Sequence, residues 1–361
     1  TVTVNDYLEM NGTCSLLSNL KGTGALSSAT GNILVNYTNI ENVTATGGAS
    51  FVANDSYDLG GNSGWTINSS TAKDYYWVGD GGSWEDGSHW ALTSGGAGSG
   101  CVPTFQDNVY FDANSFSSTG QTVSISAVVA DCKSMDWTGV TNAPTFSIGN
   151  DLSIYGSLTF SSNMTVTSIS SKSLKFKSTS TGNTITFAEN EYKGNIYIDG
   201  IGGEWTLQDS LSHNATYERF YINNGEFNTA GNSILTGRLY VLNSATVNMS
   251  SSNLHVKYSC EFSSSNYNTE QSTIHGIGNF TSMNSSQNVR LLIIENGSGP
   301  IVEGSGLYEK VMIKGSSAVL REVTADSVII DPGKTLQLDG TVTVNDYVSL
   351  NGTPSSPTYL S

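Results

Sequence analysis

The chain has 361 residues, of which only 13% are charged, with 15 Lys plus Arg against 31 Asp plus Glu and a net charge of −16. So few cations exclude a nucleic-acid backbone or an anionic membrane surface as the main partner, because both need clustered Lys and Arg. An aromatic content of 10% excludes a disordered polar tail, and no apolar run is long enough to cross a membrane as a helix.

Taken in chain order, the elements are short and strand-like. The chain opens on TVTVNDYLEMNGT (1–13), and TVTVNDYVSLNGT (341–353) repeats TVTVNDY and NGT at an offset of 340 residues. Alternating apolar bursts follow at 121–129, 173–178, 183–187, 195–198, 237–250, 290–294, 310–314, 327–331 and 334–344. Bursts of four to eight residues bounded by Gly, Asn, Ser or Asp predict short strands with one buried face, and helical periodicity is almost absent. Two-residue hairpin turns are few: Asn224-Gly225, Asp339-Gly340 and Asn351-Gly352. Longer polar linkers favour strands that wind in successive coils, giving an all-β parallel, right-handed β-helix; the alternative is a set of β-sandwich modules. At roughly 20 to 25 residues per coil, residues 120–361 would hold about ten coils.

The repeated opening predicts a tandem array. Residues 1–70 read as the closing coils of a preceding module, 71–118 as a Trp/Gly-rich junction or cap, and 119–361 as solenoid coils in which 341–361 restart the sequence of 1–21. The alternative is two similar coils within one solenoid. A chain that begins at Thr1 fits either a processed leader or a piece of a longer protein.

The junction carries the residues with chemical potential. Trp77, Trp84 and Trp90 fall within fourteen residues, separated by turn glycines. Exposed rings would make a glycan-binding platform; buried rings would plug an open solenoid end. Asp80, Asp86, Asp107 and Asp112, with Glu85, offer the oxygen ligands that Ca²⁺ takes, although neither the EF-hand nor the RTX spacing is present; solvated turn carboxylates are the plainer reading. Cys101 and Cys132 flank a strand-rich stretch and could form a disulfide in an oxidising compartment. Buried free thiols account for the four cysteines equally well, and Cys14 aligns with Pro354 in the second copy.

Residues 79–116, from GDGGSWEDGSHWALTSGG to NVYFDANSF, resemble a segment of large repetitive surface proteins of bacteria, notably Bacteroidota, and of phage tail-fibre proteins. The stretches 222–256, 35–65 and 336–361 resemble the coils that accompany it there. The resemblance covers most of the chain. It implies a β-helical module of an extracellular surface adhesin or filament, or of a virion tail fibre, and it carries over no catalytic residue.

No catalytic signature stands out, and the expectation is a non-enzyme: a structural or adhesive module that meets neighbouring copies of itself and possible glycans, without nucleic acid or membrane insertion. A polysaccharide lyase or hydrolase would need converging carboxylates. His275, in STIHGIG, is the best single candidate for acid–base work, though a lone strand His is usually a hydrogen-bonded wall residue; His89 and His213 show no partners in sequence. Asn-x-Ser/Thr sequons at Asn11, Asn36, Asn42, Asn163, Asn214, Asn248, Asn279 and Asn296, among others, are candidate glycosylation sites. Asp209-Ser210-Leu211 and Asp326-Ser327-Val328 resemble a bacterial O-glycosylation signal.

Overall fold

A computed structural model describes residues 1–127, 130–213, 218–264, 266–269, 271–276, 278–282, 288–295 and 298–361. Among them there is no α-helix, and one 3₁₀ turn spans Gly87–His89. Strands stack in parallel, coil upon coil. The exception among the named strands is a short antiparallel pairing of Tyr76 with Ala91 and Trp77 with Trp90. The chain is therefore a parallel β-solenoid, and the sandwich alternative is excluded because neighbouring strands are not joined as hairpins.

One column of inward residues shows how the coils are made. Ala130, Leu152, Leu174, Ile196, Phe220, Leu239, Cys260, Phe280, Val302 and Leu320 are register partners in sequence, one per coil. Each is buried. The steps between them run from 18 to 24 residues, slightly tighter than the sequence suggests, and further coils follow at Thr335–Asp339 and Tyr359–Leu360. The reason is the two-residue period of a strand: alternate side chains enter a narrow shared core, and a parallel register sets apolar on apolar at every level. Asn224-Gly225 makes no hairpin; it lies inside the strand Arg219–Asn228 as a bend, with Gly225 at φ 83°, a conformation that an L side chain resists.

Two cores exist. Leu26, Ile33, Val35, Ile40, Val43, Phe51 and Ala53 form one, inside three coils of three strands each that begin at Val2. The other runs without a break from Tyr75 to Leu336. Contacts that join the stacks include the Cys14–Cys101 disulfide, a hydrogen bond between Tyr57 Oη and Thr104 Oγ1 (3.1 Å), and the edge-to-face packing of Tyr57 on Phe105.

The disulfide corrects the pairing of Cys101 with Cys132. Cys132 sits on the strand Ala130–Cys132 and points into the core, where burial raises its thiol pKa well above the ordinary value. Cys101 lies on a loop that faces Cys14, 87 residues away in sequence. Cys260 is also a buried free thiol.

Outward positions form polar ladders. Asn11, Asn36, Asn54 and Asn68 are successive register partners, with Asn36 Nδ2 donating to Asn11 Oδ1 and Asn68 Nδ2 to Asn54 Oδ1, both at 2.8 Å. Tyr197, Tyr221 and Tyr240 stack face to face at 4.8 and 5.1 Å.

Truncating a column residue should open a cavity that the rigid coils cannot close. Leu320→Ala is expected to cost about 2–5 kcal/mol in chemical denaturation, while the outward Tyr240→Thr stays within about 1 kcal/mol. Equal effects at the two positions would contradict the inward–outward assignment.

Candidate functional site

Trp77, Trp84 and Trp90 are 0%, 2% and 0% exposed, so they are not a glycan platform. Trp90 Nε1 donates to Trp84 O (2.9 Å) and Trp77 Nε1 to Asp80 O (2.6 Å), which satisfies both indoles inside the core. Their rings pack edge-to-face on one another and against Phe111 and Phe146, and Phe111 stacks on Trp137 at 3.5 Å. The junction is an aromatic plug in the first coils of the long stack. Burial of such rings supplies large apolar area where a coil has no neighbour to cover it.

The four aspartates do not converge; each holds its own loop. Asp80 accepts from Ser117 N (2.6 Å) and Ser117 Oγ (2.8 Å), and these bonds depress its pKa. Asp86 caps the 3₁₀ turn, accepting from Ser88 Oγ (2.7 Å) and Ser88 N (2.9 Å), and is depressed likewise. Asp107 is buried and ties Lys73 N to Thr104 N and Thr104 Oγ1. Asp112 accepts from Asn114 N at 2.8 Å. With their lone pairs spent on backbone turns, the junction carboxylates make no common Ca²⁺ cage.

The sequons are partly explained by the asparagine ladder. Asn36 Nδ2 donates to Asn11 Oδ1, so a glycan on the Asn36 nitrogen would have to share that atom with the 2.8 Å bond. Asn42, Asn163 and Asn279 are exposed and Asn248 is half-buried; Asn214 and Asn296 lie outside the described residues. Ser327 is buried, which removes it as an O-glycosylation acceptor.

A groove of about 820 Å³ runs between the two stacks beside the disulfide. Lys21, Glu41, Phe105, Asp131, Tyr155, Lys175 and Lys177 line it, with Trp84 and Glu85. Three carboxylates therefore reach this groove, and each is committed. Glu41 pairs with Lys21 Nζ at 2.9 Å. Glu85 Oε1 accepts from Ala127 N (2.9 Å) and Ser126 N (3.1 Å). Asp131 has its pKa raised by burial, against the opposing effects of the Ser153 hydroxyl and the Lys177 and Lys175 ammonium groups. Burial, and then the charge of Asp131, pushes the Tyr155 phenol up to about 12. Lys177 Nζ lies 5.9 Å from the Tyr155 ring centroid. Ammonium groups beside an amphipathic ring suit a hydroxylated or acidic ligand.

The histidines divide into two kinds. His213 is fully buried with both ring nitrogens engaged, at 2.6 Å from Gly194 O and 2.9 Å from Thr236 Oγ1. His89 stacks on Trp77, its Nδ1 2.7 Å from Val78 O. His275, by contrast, is not a lone wall residue. It stacks on His255 at 4.3 Å and places Nδ1 2.7 Å from Glu295 Oε1. His255 and Glu295 were not singled out from sequence. The usable signal is their spacing: His255 and His275 are one coil of 20 residues apart, and Glu295 lies two positions, and so the same strand face, beyond Ile293, the register partner of His275.

Fold and site together define a parallel β-solenoid protein with an aromatic plug, an inter-stack groove and a surface His/Glu cluster. Compared with known family models, curated proteins and solved structures, the chain matches none.

If the disulfide anchors the short stack, Cys14→Ser should lower that stack's stability by about 2–4 kcal/mol. Proteolysis after mild heating is expected to remove residues 1–70 first, with the long stack intact. Unchanged protection of both stacks would show that the bond is dispensable.

Proposed function

We propose that the chain is a structural or adhesive module of a repetitive extracellular fibre, in which a unit of about 340 residues recurs and each unit continues the coils of the last. One observation supports this reading: the two copies of the repeated segment share a turn and are covered by neighbouring coils on opposite sides. In the first copy Thr13 and Leu16 exchange backbone hydrogen bonds (2.8 and 3.0 Å); in the second Thr353 and Ser356 do the same (3.0 and 2.9 Å). The first copy is covered on one side, Val2 pairing with Leu26 and Met10 with Val35. The second is covered on the other, Val348 pairing with Val328, Leu350 with Ile330 and Leu360 with Leu336.

Val348, Leu350 and Leu360 are about half exposed at 48%, 49% and 53%, whereas their partners beneath are buried. On this reading they are inward-facing residues that a further coil would cover. The occupant that fits is a segment like residues 22–68, which covers the same sequence in the first copy. The Cys14–Cys101 bond supports an oxidising setting, as outside the cell.

Appending a second copy of residues 22–68 after Ser361 tests the array. The added residues are expected to fold and to raise hydrogen-exchange protection across 343–350. An appended segment that stays protease-sensitive, with no gain in protection, would defeat the proposal.

The groove supports a second role, glycan binding at the junction of the two stacks, carried by Lys175, Lys177 and Tyr155 rather than by the tryptophans. Calorimetric titration with acidic oligosaccharides should show binding that Lys177→Ala weakens at least about tenfold, as expected for one lost charged contact worth roughly 1.4 kcal/mol or more. Binding indifferent to Lys177 and Tyr155 would remove this groove from consideration.

A further inference from the structure

We propose that His255, His275 and Glu295 form a surface site for a divalent transition-metal ion of the zinc class. The three side chains come from three successive coils. His255 and His275 are direct register partners on the strands Asn253–Phe262 and Thr273–Gly276. Glu295 follows the next coil's strand, Asn288–Ile294, and its backbone N–H donates to Gly276 O at 3.1 Å. The solenoid register thus sets two imidazoles and a carboxylate on one outer face.

The geometry is close to what an ion requires. The rings are nearly parallel, 13° apart with centroids at 4.3 Å. One potential ligand atom from each of the three residues lies within 4.8 Å of the others. Tetrahedral zinc, with bonds of about 2.0–2.1 Å, needs its ligand atoms about 3.3 Å apart. Small side-chain rotations supply the difference, and these side chains have room: His275 is 18% and Glu295 37% exposed. Exposure also leaves a fourth position open to water.

The donor set selects the ion. Imidazole with carboxylate suits zinc, nickel and copper, whereas Ca²⁺ prefers a shell of oxygens. The chain's other two histidines do not compete, because His89 and His213 already use their rings inside the structure.

The test is a Zn²⁺ titration of the full chain by calorimetry and by competition with a chromophoric chelator. One equivalent is expected to bind. His255→Gln and His275→Gln should each weaken it at least about 100-fold, beyond the 10–100-fold cost of losing an outer-shell partner. Glu295→Gln should weaken it less, and Ca²⁺ should not compete. Melting without metal checks that the variants fold; Zn²⁺ should raise the melting temperature of the wild type and not of the variants. Absence of saturable binding, or equal affinity in the His255→Gln/His275→Gln double variant, would overturn the site.

Discussion

The structure depends on backbone hydrogen bonding between parallel strands in register. Each coil's N–H and C=O groups are satisfied by the coils above and below, so a residue's environment is set by its counterparts one coil away. Like stacks on like: leucine on leucine within, asparagine on asparagine and tyrosine on tyrosine without. The arrangement pairs backbone groups from coil to coil along the stack and leaves open strand edges at a terminal coil. The aromatic plug and the half-exposed apolar residues of the second repeat copy both express this constraint.

Fold class was legible in the sequence because it rests on two-residue alternation, which survives any choice of register. Leu174 and Phe176 in SLKFKS both point inward as read. The repeat of TVTVNDY was equally plain, since it needs only comparison of the chain with itself. What could not be read was which coil lies on which. The Cys14–Cys101 bond depends on the short stack folding back beside the long one, a contact across 87 residues with no local signature. The tryptophans looked ambiguous because ring type and glycine spacing are the same for an exposed platform and a buried plug; only the packing against Phe111, Trp137 and Phe146 decides.

The same register logic explains why the functional candidates moved. Asp80, Asp86, Asp107 and Asp112 are near in sequence, but turns consume their oxygens one loop at a time. His255, His275 and Glu295 are far apart in sequence, yet successive coils bring them to one face. In a solenoid, separation by one coil length is proximity, and clustering in sequence is not. Some of the sequons follow from this too, since Asn11, Asn36, Asn54 and Asn68 form an amide column, a stable outer edge for stacked strands.

Distances between spin labels on one outward column test the stacked register most directly. Lys175, Tyr197, Tyr221, Tyr240, Glu261, Thr281, Glu303 and Arg321 are successive register partners, one per coil. With coils about 4.8 Å apart, labels at Tyr240 and Arg321 should sit about 19 Å apart, and labels at Lys175 and Arg321 about 34 Å. Separations that grow in proportion to coil number are the expected result. Lengths that fail to grow with the number of intervening coils would mean that these strands do not wind about one axis.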